Sequence, residues 1–349
     1  MLSKAKEWFL KNVSRDKNKP RLLNQLIWFM GRPYLAGSSL EEGLKNIESS
    51  DSYSTLDILG EAAQTKEDAD RFIETYIDAI DNLAEKYPDG SPSSISVKLS
   101  AICEPDKPGE IPPIETMEQR LEEIVSYSKD NGIDVTLDME SHEWTDITLA
   151  IVRNLWNKGY DNLGTVLQAK LNRTERDIVN LFQNNYTIDK KKIRIRACLG
   201  AYLEDESIAT KNNKEAKRRL AARIKQLFEA GAYVEIATHD HSVIHEVIDY
   251  IDEHQIDNDR FEFQFLRGVD NGTRIEPTLK ERGYKVRYYM PIEIEKFDGV
   301  PYIIRRIMEN PDFAINYAKN LGQKVINPAL DLFRGLKKKL TYKNKPTIQ

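Results

Sequence analysis

The 349-residue sequence has little cysteine and no long apolar run. Cys103 and Cys198 are its only cysteines, too few for a disulfide framework, which favours a reducing compartment. No stretch of about 18 to 20 uninterrupted apolar residues is present, so the sequence predicts no membrane-spanning helix. The first ten residues carry charge where a secretory signal needs an apolar stretch. The expected location is therefore cytoplasmic.

An excess of positive charge is also missing. The net charge is −5 and the isoelectric point is near 5.8, which argues against nucleic acid as a partner because phosphate neutralisation needs a basic face. The exception is a lysine-rich stretch over residues 337–345. Such a tail is typical of a solvated chain end, and it leaves open a peripheral contact with the anionic inner face of a membrane.

The sequence does contain eight short segments in which apolar and polar residues alternate with the two-residue period of a strand. They cover residues 55–60, 95–102, 133–140, 164–170, 192–202, 232–240, 261–268 and 285–291. Helical patterns lie between them, among others at 117–131, 174–183, 213–230, 243–254 and 274–282. Alternating strands and helices predict parallel pairing with right-handed crossovers, and eight repeats close a (β/α)8 barrel of the TIM type. An open doubly wound sheet is disfavoured because its continuously apolar strands and glycine-rich first turn are absent.

Three regions are expected along the chain. Residues 1–50 have helical apolar spacing and are predicted to form a helical preamble. Residues 51–330 are predicted to form the barrel, and residues 331–349 a basic tail. No proline-rich linker or internal repeat divides them.

Reactive side chains stand near the predicted carboxyl ends of the strands, where barrel enzymes place their active sites. The alternation predicts that these polar tips converge on one space; they are Lys98, Asp138, Gln168, Arg196, Gln264 and Tyr289. A buried structural ion pair between Lys98 and Asp138 remains an equal alternative. At the fifth strand, Gly200 and Ala201 before Tyr202 allow a ligand to approach the backbone closely.

The last predicted helix carries a second group of reactive residues. Tyr302, Arg305, Arg306 and Glu309 have the i, i+3, i+4 and i+7 spacing that shares one helix face. Two adjacent guanidinium groups suit a carboxylate or phosphate. A surface salt-bridge ladder is the alternative, and the position directly after the last strand favours the anion site.

His239 and His241 raise the question of a metal, because the His-x-His spacing occurs in barrel hydrolases. No second histidine pair exists in the sequence, so no metal is expected. A metal-dependent hydrolase stays the alternative enzyme class.

The ordered motifs together resemble the signature of the proline dehydrogenase family over roughly residues 20 to 330. They are Thr55-Leu-Asp-Ile-Leu-Gly-Glu61, Ser96-Val-Lys-Leu-Ser100, Asp138-Met-Glu140, Val166-Leu-Gln-Ala169, Arg196 with Gly200-Ala-Tyr202, Ala237-Thr-His-Asp240, Phe261-Glu-Phe-Gln-Phe-Leu266, Arg287-Tyr-Tyr-Met-Pro291 and Tyr302-x-x-Arg-Arg-x-x-Glu309. The resemblance implies a barrel whose last helix covers the mouth. It also implies FAD-dependent oxidation of L-proline, or a close analogue, to Δ1-pyrroline-5-carboxylate, with a membrane quinone as electron acceptor.

By the same resemblance, each motif residue has an expected role. Asp138 and Arg196 are the expected catalytic residues, with Asp138 orienting Lys98 or an arginine. The expected substrate-binding residues are Lys98, Leu266, Tyr289, Tyr302, Arg305 and Arg306. The expected flavin-binding residues are Met139, Gln168, Arg196, Leu199, Gly200, Ala201, Tyr202, Thr238, His239 and Gln264.

The sequence departs from the family pattern at three places. Leu199 stands where a lysine is usual, Arg267 where a tyrosine or histidine is usual, and residues 292–299 replace a segment rich in Gly, Trp and Tyr. These departures leave open a shifted substrate such as hydroxyproline. They also leave open a carboxylate-binding barrel without catalysis, and the sequence gives no oligomeric state.

Overall fold

Eight parallel strands form a closed barrel in chain order, with the first strand paired to both the second and the last. The computed structural model describes residues 27–28, 31–60, 62–88, 92–107, 109–183, 186–294 and 299–309, without the side chains of 270–274, 305 and 307–309. The strands are β1 Tyr53–Leu59, β2 Ser93–Val97, β3 Asp134–Leu137, β4 Leu163–Gln168, β5 Arg194–Cys198, β6 Tyr233–Ala237, β7 Phe261–Leu266 and β8 Val286–Glu293. The predicted (β/α)8 barrel is confirmed.

Helices surround the barrel, one before the first strand, one after the last and the others between successive strands. They are α1 Leu40–Glu48, α2 Lys66–Lys86, α3 Leu99–Ile102, α4 Ile114–Asp130, α5 Thr145–Asn157, α6 Thr174–Phe182, α7 Asn213–Ala230, α8 His241–Glu253, α9 Asp270–Glu281 and α10 Val300–Glu309. Short 3-10 helices occupy Arg32–Tyr34, His142–Trp144, Lys190–Lys192 and Asn258–Arg260. The last helix, α10, follows β8 directly, as the sequence predicts.

Local side chains set several helix boundaries. Asn212 accepts a hydrogen bond from the amide of Glu215 at the start of α7, and Gly231 ends that helix with a φ of 91°. Thr65 begins α2 by accepting from the amide of Asp68 in the same way. Asn212 and Gly231 explain why the predicted bounds of α7, 213–230, coincide with the observed ones.

Several strands are shorter than predicted, and in one of them the predicted strand continues as a helix. The pattern over 95–102 predicts a single strand, but β2 ends at Val97 and Leu99–Ile102 form the short helix α3. All four residues of α3 are buried, so their apolar character reflects burial, and short buried runs do not distinguish strand from helix.

The strands direct polar residues inward and apolar residues outward. In β1, Leu56 and Ile58 belong to the main hydrophobic core, while Asp57 between them is buried on the other face. Side chains from non-adjacent strands meet in the interior, where Arg196 of β5 contacts Ser96 of β2 across the barrel. The interior is thus a polar network enclosed by an apolar shell of strand and helix side chains.

The described residues before β1 pack against β8. Gly37 pairs with Ile292 in an isolated parallel bridge, and the amide of Ala36 donates to the carbonyl of Pro291 at 2.6 Å. The division into a preamble, a barrel and a tail stays a prediction, because residues 1–26 and 310–349 lie outside the described residues. Within the part of the chain that is described, no helix combines the length and apolar character needed to cross a membrane.

Candidate active site

Arg196 forms the centre of a buried network at the carboxyl ends of the strands. Its side chain is 7% exposed, and its Nε donates to Oε1 of Gln264 at 2.7 Å. Its Nη1 donates to Oδ1 of Asp138 at 2.8 Å, and its guanidinium lies 5.2 Å from the ring centroid of Tyr289. Four predicted site residues therefore meet in the interior, with the arginine held in a fixed orientation.

Asp138 joins this network to a second cation. Its Oδ2 accepts from the hydroxyl of Tyr289 at 2.7 Å and lies 3.7 Å from Nζ of Lys98. Burial and the neighbouring Asp138 carboxylate raise the pKa of Tyr289, so the phenol stays protonated as a donor. Asp138 thus orients both Lys98 and Arg196, where the sequence left the choice between lysine and arginine open.

Asp57 is a member of the site that the predicted site residues do not include. It is buried and accepts a hydrogen bond from Nζ of Lys98. Burial raises the pKa of Asp57 while the Lys98 charge opposes the shift, and the carboxylates of Asp57 and Asp138 raise the pKa of Lys98 against the cost of burial. The ammonium is therefore held in its charged form. The polar position of Asp57 between Leu56 and Ile58 was the sequence signal for this residue.

Deeper in the barrel the charges continue in pairs. Glu235 lies 3.0 Å from Arg194 and 3.5 Å from Arg196, and Glu262 lies 2.5 Å from Arg287. In the described interior, four cations therefore face four carboxylates, and Asp134 adds a fifth carboxylate at the amino-terminal end of the barrel. The cations are Lys98, Arg194, Arg196 and Arg287, and the four carboxylates are Asp57, Asp138, Glu235 and Glu262. The interior network has no net positive charge, so an incoming anion needs further cations from outside it.

Gln168 and Gly200 form a cradle at the ends of β4 and β5. Gln168 donates through Nε2 to the carbonyl of Glu140 at 2.8 Å, while its buried Oε1 has no hydrogen-bond partner among the described residues. Gly200 has a φ of 101°, and a Cβ there would lie 2.6 Å from that Oε1. Oε1 of Gln168 is thus an acceptor without a partner beside a backbone conformation that favours glycine. This arrangement would allow a ligand to approach the backbone closely and donate to that oxygen.

His239 presents an open donor at the end of β6. Its Nε2 accepts from the amide of Leu266 at 2.9 Å, which places the ring proton on Nδ1, and that buried atom has no partner in the described structure. Burial and the positive charge of Arg306 lower the pKa of His239 to about 4, so the ring is neutral near pH 7. Thr238 stands beside it and accepts from the amide of Asp240 at 3.1 Å.

The other predicted site residues line the same mouth. Met139 after β3 is buried and Leu266 at the end of β7 is partly exposed. Leu199, Ala201 and Tyr202 form the rim after β5, where the carbonyl of Tyr202 accepts from Nζ of Lys170. Lys170 therefore brings a positive charge to the segment in which Leu199 replaces the lysine that is usual in the family.

Helix α10 carries Tyr302 and Arg306 to this mouth. Tyr302 is buried, the guanidinium of Arg306 lies 5.3 Å from its ring centroid, and the charge of Arg306 acts on His239. The side chains of Arg305 and Glu309 lie outside the described residues, although both positions belong to the helix.

The alternative of a metal site has no support in the described ranges, because no three His, Cys, Asp or Glu side chains lie together there as metal ligands. In addition, Nε2 of His239 accepts an amide hydrogen and is not available to a metal.

Comparison with known proteins identifies a family. Residues 41–316 match the family model described as proline dehydrogenase. The proline dehydrogenase of Deinococcus radiodurans is 30% identical over 304 residues, which cover 86% of this chain and 92% of that protein. Proline dehydrogenase 1 of Bacillus subtilis is 31% identical over 296 residues, which cover 84% of this chain and 91% of that protein.

Solved structures show the same fold. Proline utilization A from Bdellovibrio bacteriovorus, inactivated by N-propargylglycine, superposes with a TM-score of 0.71 at 24% identity over 81% of this chain. The chain spans 33% of the length of that protein. The family match over most of the chain and the two relatives at 30% identity or above show that this chain belongs to the proline dehydrogenase family.

Proposed function

We propose that the chain oxidises L-proline to Δ1-pyrroline-5-carboxylate with FAD bound at the barrel mouth, and that a quinone accepts the electrons. Membership of the family supports the reaction class. The observation that carries the proposal is the charge arrangement: an interior network without net positive charge lies below a helix that adds Arg306 at the mouth.

The charge arrangement suits an anionic substrate. Lys98 and Arg196 are each paired with carboxylates, so the carboxylate of proline needs additional positive charge. Arg306 supplies one cation, and we assign Arg305 the same role from its position in α10. The ring of proline would then pack against the aromatic side chains of Tyr289 and Tyr302.

The residues at the mouth fit a flavin. Gln168 offers an open acceptor, His239 an open donor, and Gly200 a close backbone approach. These are the complementary polar groups that a pyrimidine-like ring edge requires. When bound, FAD accepts the hydride that leaves the carbon beside the ring nitrogen of proline.

Arg196 and Asp138 prepare the site without acting as a strong base. Arg196 stays charged in the interior because Asp138 and Glu235 compensate the cost of burial, and these carboxylates raise its pKa. A fixed positive charge beside the cofactor would stabilise the electron-rich ring after hydride transfer. Asp138 holds that charge and Lys98 in place, which sets the orientation of the substrate.

The family resemblance alone supports the quinone. We propose with it a cytoplasmic location and a peripheral contact at the inner face of the membrane. The basic stretch 337–345 that would favour such contact lies outside the described residues. Co-sedimentation with anionic and neutral vesicles tests the contact.

Product analysis tests the reaction. Purified protein supplied with L-proline and a soluble quinone should form a cyclic imine that is two hydrogens lighter than proline, with stoichiometric quinone reduction. Hydroxyproline run in parallel decides the substrate preference. Absence of imine with every cyclic amino acid would leave a non-catalytic barrel and contradict the proposal.

A further inference from the structure

Glu293 lies at the junction of three elements that together support α10. It is the last residue of β8, and its side chain is fully buried. Its Oε1 accepts from the amide of Gly299 at 2.9 Å, just before α10, and its Oε2 accepts from Nε1 of Trp28 at 2.5 Å. Its own amide donates to the carbonyl of Gly37 at 3.1 Å. One carboxylate thus joins the barrel, the helix start and the residues before the barrel.

The contact with Gly299 fixes the first turn of α10. The carbonyl of Gly299 accepts from the amide of Ile303 at 2.9 Å, so Gly299 belongs to the hydrogen-bonded helix start. A Cβ at position 299 would lie 2.7 Å from Oε1 of Glu293, so a larger residue at this position would displace the carboxylate. A carboxylate at a helix N-terminus is also favoured by the helix dipole.

The residues before the barrel pack directly on the same helix. A Cβ at Gly31 would overlap with Cγ2 of Ile303, which is fully buried. Trp28 and Gly31 therefore form a support beneath the first turn of α10. Glu293 and Gly299, which connect to this support, belong to the segment 292–299 that departs from the family pattern.

We propose that Glu293 is a positioning residue that, together with Trp28, sets the place of the α10 arginines above the barrel mouth. The inference rests on the proposed function, in which those arginines bind the carboxylate of proline. Arg306 follows Gly299 by seven residues, or roughly 10 Å along a helix, so a tilt of about 10° at the first turn moves it by almost 2 Å. A displacement of about 1 Å can cost on the order of 100-fold in rate.

The test uses Glu293→Gln, Glu293→Ala and Trp28→Phe in the full chain with its flavin. Glu293→Gln keeps one acceptor oxygen and loses the second, and Trp28→Phe removes the indole donor together with part of the ring. Trp156→Phe is the matched control, because Trp156 is a buried tryptophan that donates to the carbonyl of Leu163 at 2.9 Å on another side of the barrel. Asp177→Asn is the control for a buried carboxylate, because Asp177 lies on α6 and pairs with Arg173.

The readouts are KM for L-proline, kcat, flavin content and amide hydrogen exchange over residues 299–309. We expect KM to rise roughly tenfold in Trp28→Phe and Glu293→Gln and further in Glu293→Ala, with flavin content retained and exchange faster only in α10. Both controls should keep the wild-type KM. If Glu293→Ala does not fold, Trp28→Phe decides the question.

Two results would overturn the inference. The first is a wild-type KM in both Trp28→Phe and Glu293→Gln, which would contradict the positioning role while leaving the proposed function in place. The second is an equal KM increase in Trp156→Phe, which would indicate a general loss of packing. A wild-type chain that does not bind L-proline would instead contradict the proposed function, and this inference with it.

Discussion

The hydroxyl of Tyr289 donates a 2.7 Å hydrogen bond to one carboxylate oxygen of Asp138, whose other oxygen accepts from Arg196 at 2.8 Å. The Tyr289 ring lies 5.2 Å from that same guanidinium. Tyrosine, aspartate and arginine therefore fix one another, and none can move without disturbing the other two. Such mutual restraint is the preorganisation that catalysis by electrostatic stabilisation needs.

The Tyr289 hydroxyl can be tested alone. Tyr289→Phe removes the donor to Asp138 while keeping the ring over Arg196, so we expect kcat/KM for L-proline to fall roughly fivefold to tenfold with flavin retained. Steady-state kinetics and the flavin-to-protein absorbance ratio measure this. Tyr284→Phe is the control, since Tyr284 bonds to Asp252 away from the mouth and its loss should leave kinetics unchanged.

Gly200 should be required for the cofactor. Gly200→Ala adds a methyl group 2.6 Å from Oε1 of Gln168 at a φ of 101°, so we expect the flavin content of the purified protein to fall at least severalfold. Gly159→Ala has a similar φ of 94° with nothing within 4 Å, and it should destabilise the fold by about 1 kcal/mol without loss of flavin. Equal flavin content in the two variants would argue against the cradle.

Arg306 should act on substrate and not on cofactor binding. Because the interior cations are already paired, Arg306→Ala should raise KM for L-proline by on the order of 100-fold with the flavin still bound. Arg306→Lys should recover only part of that affinity, because lysine lacks the planar fork of donors. Arg282→Ala, at an exposed ion pair with Asp252, is the control. Unchanged kinetics in Arg306→Ala would remove its carboxylate role.

The pH dependence of stability should report on His239. Its pKa in the folded chain is about 4, below the usual 6.5, so the fold favours the neutral ring. The contribution of the neutral ring to the free energy of unfolding is complete above pH 6.5 and is lost as pH falls towards 4. The reason is that the unfolded chain takes up the proton at a higher pH than the folded chain. The size of this contribution is up to about 3 kcal/mol.

Chemical unfolding at pH 7 and at pH 4.5 measures this effect. The difference in unfolding free energy between wild type and His239→Gln should shrink over that interval. His245→Gln, at an exposed position on α8, is the control and should show no such change. A pH-independent difference for His239→Gln would contradict the buried neutral ring.

The alternation of apolar and polar residues was sufficient to predict the barrel and the inward direction of its charged side chains. Arg196 follows this pattern within β5, Lys98 and Asp138 come directly after β2 and β3, and the structure brings the three together. Where the pattern is interrupted, as in Leu99–Ile102, burial alone determined the composition and the predicted strand was wrong.

Contacts between distant segments could not be predicted in the same way. Trp28 and Glu293 are 265 positions apart, and each is an ordinary residue in its own context. The open acceptor of Gln168 and the positive φ of Gly200 likewise depend on the register between β4 and β5. Only the folded barrel determines which polar atoms remain open to a ligand.

An anaerobic absorbance spectrum before and after addition of L-proline tests the central claim most directly. The account predicts a yellow protein whose visible flavin absorbance is bleached by L-proline in the wild type and far less in Arg306→Ala. A colourless protein after reconstitution with FAD, or a flavin that L-proline leaves oxidised, would contradict it.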